Sequence, residues 1–368
     1  MRSKARHQLT QWIFGIALVA LGQSASAYVG MCCGKCGGNM PLNIPGAGIP
    51  EPGEYRFKVN VTDMVMDGLK IGTDSVSPGN TRVLGNMMTP GPYMMAPTRM
   101  NMRMLNATVG HSFNDDFFAM LMFMHMDKNM DMINRMGVTS KMDSSGIGDT
   151  MLMTKYLLYA DDKLIPRSQA SVLLGLNIPT GSIDETNSTG TLLPYGMQLG
   201  SGTWDPVVGL LYSGSSSPWW WGINGIYTAR IQDNDRDYRL GDEFRVDAYG
   251  MHQLSDSVLA EFQINGQYNG KIEDTAAGTM FMSTLQNPDN YGGKKMGATV
   301  GLQWQPAPYQ IINLQYSKNL YSDLNGPQLE EDHSIMLTWY YELVTAKSRR
   351  SAGFVRDKDQ QGDSKLGF

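Results

Sequence analysis

The 368-residue chain lacks any apolar run of helical-span length, apart from a stretch of roughly ten residues near its start that is too short to cross a bilayer. A mean hydropathy of −0.29 with 42% hydrophobic residues excludes a helical membrane protein. It leaves open a barrel, whose strands alternate polar and apolar residues and average out. Cysteine is scarce, with Cys32, Cys33 and Cys36 the only three, which rules out a disulfide-built scaffold. Positive charge is not in excess: the formal net charge is −5 and no basic stripe occurs, so nucleic acid is not an expected partner.

The N-terminus reads as a secretory signal over residues 1–27. Arg2, Lys4 and Arg6 supply the charged region, Trp12 to Leu21 the apolar one, and Ala25-Ser26-Ala27 the cleavage site, so the mature chain is expected to begin near Tyr28. Residues 28–53 are rich in Gly and Pro and contain the three cysteines, which implies an irregular segment. In the oxidising compartment reached by export, one disulfide and one leftover thiol are expected there. Residues 344–368 are charged and weakly periodic, like a periplasmic tail.

Between these lies a region, 54–343, that breaks into segments of about ten to fifteen residues with period-two alternation. In 258–268, Val258, Ala260, Phe262 and Ile264 fall on one face and Glu261, Gln263, Asn265 and Gln267 on the other. Twelve strands are expected near 54–67, 97–113, 117–130, 147–159, 169–178, 203–213, 219–231, 243–253, 257–270, 295–305, 310–320 and 333–343, with ten or fourteen as alternatives. Short connections such as 114–116, 160–168 and 214–218 alternate with longer ones rich in Gly, Asn, Pro and Asp. That asymmetry, which a soluble sandwich has no reason to show, predicts an all-β, closed transmembrane antiparallel barrel in the bacterial outer membrane. Closure has a physical motive, because an open sheet edge in lipid would leave backbone donors and acceptors unpaired. The expected partners are outer-membrane lipids and the barrel-assembly machinery, although Phe368 lies well beyond the last strand rather than ending it.

The stretches Gly175-Leu-Asn-Ile-Pro-Thr-Gly-Ser182, Leu199-Gly-Ser-Gly-Thr-Trp-Asp205 and Ser144-Ser-Gly-Ile-Gly-Asp149 resemble the recurring motifs of the outer-membrane barrel family named for the MetA pathway of phenol degradation. The resemblance covers roughly 54–343. It implies a barrel acting as a channel or transporter and does not fix the cargo.

On the faces assigned to the lumen by alternation, polar groups collect: Arg99, Arg103, Lys155, Arg230, Arg245, Asp247, Glu261, Gln263 and Gln267. They are either a salt-bridged interior or a pore lining that sets charge selectivity, and the two are compatible. An outer-membrane lipid-modifying enzyme is the competing class. None of His111, His125, His252 or His333 sits in a nucleophile motif, and no nucleophile elbow or zinc-protease helix occurs, so no enzyme is expected.

The chain holds 28 methionines. Alternation with Arg99 and Arg103 assigns Met100, Met102 and Met104 to the lipid side, while Met151 and Met153 share a face with Lys155 and hence the lumen. Cys32, Cys33 and Cys36, and separately Met126, Met130, Met132, Met151 and Met153 with His125 beside them, are candidate ligands for Cu(I) or Ag(I), since thiolates and thioethers are soft. Met126 to Met132 are read as a loop flexible enough to gather sulfurs. No cofactor is required, and the rival cargo is an aromatic or other apolar solute.

Overall fold

The computed structural model describes residues 40–47, 51–162, 166–274 and 280–348. The expected signal 1–27, the Cys32, Cys33 and Cys36 cluster and the tail from 349 lie outside the described residues.

Fifteen β elements follow in chain order. They are β1 (Tyr55–Gly72), β2 (Asp74–Val76), β3 (Met95–Ser112), β4 (Phe117–Asn134), β5 (Thr139–Ile147), β6 (Thr150–Ala160), β7 (Ser168–Ile178) and β8 (Asp205–Ser216). After these come β9 (Trp219–Thr228), β10 (Tyr238–Arg239), β11 (Glu243–Ser255), β12 (Val258–Asn269), β13 (Glu273–Asp274), β14 (Gly293–Ala307) and β15 (Gln310–Leu343). Eleven of them form one closed antiparallel sheet in the order β15-β14-β12-β11-β9-β8-β7-β6-β4-β3-β1, and β15 pairs back onto β1. Two more, β2 and β5, lie on β1 and β4, and β10 pairs with β13 in a separate ribbon.

Parity decides the shape of the last element. Eleven strands that alternate direction would bring the first and last together parallel, yet β15 runs antiparallel to both β14 and β1. Its 34 residues would also stretch about 110 Å if straight, several times the ~30 Å hydrocarbon core. It folds back on itself: Tyr316 stacks on His333, Asn319 donates to Glu330 at 2.8 Å and Lys318 pairs with Asp332.

Alternation of exposure along each element sets the two faces. In β8, Val207 and Leu211 are buried inside while Val208, Leu210 and Tyr212 are exposed outside. In a lipid setting such an outer face is stable because apolar side chains meet acyl chains. Aromatic rings gather where strands meet the short turns: Tyr55 against His111, Trp219 against His252, and Trp339 stacked on Tyr341, as amphipathic rings do at a membrane interface. That end carries the connections 113–116, 161–167, 217–218, 256–257 and 308–309; the opposite end carries 73–94, 179–204, 229–242 and 270–292.

The wall is not level. β1, β3 and β4 have 18 residues each, whereas β9 has 10, so one side rises about 26 Å farther along the strands at the long-loop end. β5 extends that side above β6 and lies in the stretch between the expected strands 117–130 and 147–159; its Ser144, Ser145 and Gly146 are poor strand formers, so the pairing with β4 decides it. Residues 126–132 likewise belong to β4 and are no flexible loop.

Candidate functional site

Residues 40–47 occupy the lumen in its short-turn half. The segment Met40-Pro-Leu-Asn-Ile-Pro-Gly-Ala47 carries no charge, so it can enter an interior at no ionic cost, and its two prolines favour turns over pairing. Met40, Leu42, Ile44 and Ala47 are buried, and Met40, Ile44 and Ala47 pack with inward residues of the wall such as Phe118, Leu173, Leu211, Trp220 and Leu259.

Side chains of the wall hold its backbone. Lys58 donates to the Leu42 carbonyl at 3.0 Å, Lys155 to that of Gly46 at 3.1 Å, and Arg56 to that of Ala47. Asn43 exchanges amide hydrogen bonds with Gln263 at 3.0 and 3.1 Å and accepts a third from Gln315 at 3.1 Å. The Arg56 guanidinium lies 4.5 Å over the Phe118 ring, a cation–π contact that gains strength away from water. Sequence reasoning missed Asn43, Arg56, Lys58 and Gln315 as parts of the site. The available signal was the absence of charge between Met40 and Pro50 in an otherwise polar chain.

Above and around this segment the inner wall has a polar side. Asp247 accepts from Asn224 at 2.8 Å and from Arg245 at 2.9 Å, and Asn265 also donates to it. Glu261 accepts from Gln303 at 2.9 Å, from Asn313 at 3.0 Å and from Gln315. Lys155, Arg245, Asp247, Glu261, Gln263 and Gln267 therefore face inward. Arg230 sits just past the end of β9, where it pairs with the buried Asp205 of β8. Burial and a hydrogen bond to Asp274 raise the Tyr195 hydroxyl in the loops above, and burial raises that of Tyr291, so both stay neutral hydrogen-bonding groups. Beside them lies a cavity of about 300 Å³ lined by Met124, Lys128, Tyr195, Leu199, Leu240 and Tyr291, among others.

Three expectations are overturned. Arg99 and Arg103 are on the outer face, paired with Asp67 at 3.3 Å and Asp63 at 2.7 Å, and both are about half exposed. Alternation distinguishes two faces without saying which is inside. Charge marks the lumen only within the lipid band, and these arginines stand on the raised wall where the outside meets water. In consequence Met100, Met102 and Met104 face inward, not toward lipid, and so do Met126, Met130 and Met132. His125 is exposed on the opposite face of β4 and does not join those sulfurs. Met151 and Met153 face inward with Lys155. His111 and Ser112, neighbours in sequence, fall on opposite faces of the wall. Among the described residues no group of three or more His, Cys, Asp or Glu is placed to hold a metal.

The chain is similar in structure to an outer membrane channel from Pseudomonas putida F1, with a TM-score of 0.56 at 13% identity, over 82% of this chain and 99% of that one. A Pseudomonas aeruginosa FadL homologue aligns over 86% of this chain and 98% of its own at 11% identity, with a TM-score of 0.36. No curated protein matches the sequence. The family model described as "Putative MetA-pathway of phenol degradation" matches residues 95–323, more than half of the chain. With its closed outer-membrane-type barrel, the chain belongs to the outer-membrane β-barrel family named for the MetA pathway of phenol degradation.

Proposed function

We propose that the chain is an exported outer-membrane channel for small molecules, with twelve membrane-crossing strands and a bore closed by its own residues 40–47. The count follows from taking the folded-back β15 as two crossings, which restores the even number that antiparallel closure requires. A barrel of this size is wider than eight-stranded barrels filled by side chains alone and narrower than open sixteen-stranded porins, so one short segment is enough to block it.

The observation that carries the reading is how the segment is held. Residues 40–47 are fixed by side chains reaching their backbone and by Asn43, with no strand pairing to the wall. The bonds from cationic donors contribute about 1.5–3 kcal/mol each and the neutral amide bonds about 0.5–1.5 kcal/mol net, and none of them belongs to the sheet, so the plug can leave without unfolding it. Planar-bilayer conductance tests this. Wild type is expected to show a low conductance that rises severalfold when residues 40–47 are deleted. Cross-linking Asn43→Cys to Gln263→Cys, with Cys32, Cys33 and Cys36 changed to Ser, is expected to hold the bore shut. A correctly folded deletion variant that passes no ions sinks the channel reading.

Aromatic solutes are a cargo that the cavity beside Tyr195 and Tyr291 supports. Its volume of about 300 Å³ is roughly twice that of a ~150 Å³ cavity known to hold benzene. Leu240→Trp fills this space and is expected to abolish calorimetric binding of phenol; unchanged binding excludes the cavity as the site.

A further inference from the structure

The inner wall has two chemistries. On β11, β12, β14 and β15 many inward positions are Asp, Asn, Gln, Glu or Thr. On the other side methionines recur at inward positions, with Met64 and Met66 on β1, Met100, Met102 and Met104 on β3, six on β4, Met142 on β5 and Met151 and Met153 on β6, among polar residues such as Arg56, Lys58, Asn60 and Lys128. Strand register turns this second set into levels. At the top, Met66, Met100, Met130 and Met142 are successive partners on β1, β3, β4 and β5, all on the inner face. One step down Met64 opposes Met102, and below them Met104 opposes Met126. Nearer the plug Met122 opposes Met151 and Met120 opposes Met153. Met40 of the plug shares a buried cluster with this last pair. At the long-loop mouth Met88 and Met280 are 95% and 92% exposed, with Met87 and Met136 close behind.

We infer that this wall is an all-thioether site for a soft monovalent cation, Cu(I) or Ag(I), with the Met66, Met100, Met130 and Met142 row as its principal ligand set and the pairs below as a path toward the plug. The path rests on the channel reading; the site does not. Sulfurs at alternate positions of one strand are about 7 Å apart along it, too far to share an ion, but neighbouring strands are ~4.8 Å apart. Directly opposed Cβ atoms lie about 4.5–5.5 Å from each other, and the three rotatable bonds of methionine let two opposed sulfurs converge. Neutral thioethers favour Cu(I) and Ag(I) over hard cations, and transfer between levels needs only exchange of one thioether for the next, with no change of oxidation state.

Packing alone accounts poorly for the pattern. In the same lower cluster, the facing strands fill most inward positions with types such as Leu173, Val207, Leu211, Ile226 and Leu259, and Met251 is the one methionine they contribute; branched types are favoured in strands. On β4 the inward positions 120, 122, 124, 126, 130 and 132 are all methionine instead, broken only at Lys128, whose ammonium is turned to the Gly196 and Gln198 carbonyls. The neighbouring outward positions vary freely, from Phe123 to Asp131. Among the strand methionines of the described residues, Met296 is the one exposed on the outer face.

The test uses the full-length protein in detergent with Cys32, Cys33 and Cys36 changed to Ser, because thiolates would mask weaker thioether binding. Silver(I) is titrated calorimetrically, and X-ray absorption at the silver edge reads the ligand shell. This protein is expected to bind Ag(I) in a shell of sulfur alone. Met100→Leu with Met130→Leu, which keeps bulk and apolarity, is expected to weaken binding at least tenfold, and outer-face Met296→Leu to leave it unchanged. Should the double variant lose its thermal unfolding transition, Met66→Leu with Met142→Leu removes the less buried ends of the same row and is expected to weaken binding as well. Silver binding that is unchanged in a folded row variant, or a shell of oxygen or nitrogen, overturns the site. Potassium chloride conductance recorded on the same samples separates the two readings. Absence of conductance from every sample, the plug-deleted chain included, counts against the channel and leaves a silver result standing.

Discussion

Arg230 and Arg103 each pair with an aspartate, and their surroundings set different costs for breaking the pair. The side chains of Arg230 and Asp205 are 13% and 0% exposed, and Asp205 also accepts from Thr203 at 2.7 Å. Those of Arg103 and Asp63 are 60% and 54% exposed. Arg230→Ala leaves a buried carboxylate without its cation and is expected to cost about 3–5 kcal/mol. Arg103→Ala is expected to cost less than about 1 kcal/mol, since water screens both charges. Urea unfolding in lipid vesicles compares them, and equal losses would contradict the placement of Arg103 on the outer surface. A second residue-scale expectation concerns Gln263, which is fully buried against Asn43. In a chain otherwise free of cysteine, Gln263→Cys is expected to resist water-soluble thiol reagents while the plug is seated and to react once residues 40–47 are deleted. Equal reactivity in both would show that the plug does not cover this position.

The strands β4 and β12 show how far an element's own pattern can be read. In β12 the outer face is apolar along its middle, with Phe262 half exposed opposite Val300, and the inward set was legible from alternation alone. In β4 both faces are apolar as far as Phe123, and the outer face then turns polar through Asp127, Asn129 and Asp131. No rule of alternation could orient it, because the strand leaves the lipid partway along. The positions separate by depth. Phe262→Arg puts a charge into the lipid band and is expected to cost about 2–4 kcal/mol, whereas Asn129→Arg, on the raised wall, is expected to be nearly neutral. Folding yields into vesicles measure both. A severe loss from Asn129→Arg would place that part of β4 in lipid and would restore the inward reading of Arg99 and Arg103.

At the scale of the whole molecule, short turns and long loops segregate to opposite ends, and the first and last barrel strands begin and end together, Tyr55 opposite Leu343. In an outer membrane the long loops face outward. With the native cysteines replaced, Ser188→Cys in the loop after β7 is expected to label on intact cells, and Asp256→Cys in the turn before β12 only after the envelope is opened. Labelling of Asp256→Cys from outside would invert the orientation. The plug belongs to this scale too, since its contacts join residues more than 200 positions apart, as in Asn43 with Gln263 and Gln315.

The sequence by itself determined the barrel. Period-two alternation, the spacing of turns and the lack of a spanning helix are local properties, and an exposed edge in lipid forces closure whatever the details. It also determined the inward set of β12, where lipid lies outside the strand for most of its length. Only the tertiary structure decided the facing of Met100 to Met104 and of Arg99 and Arg103, because inside and outside are properties of the closed wall and of its height above the membrane. The structure alone also decided that residues 40–47 turn back into the bore and that methionines on separate strands share a level. Both depend on partners brought near by strand register, which no single segment encodes.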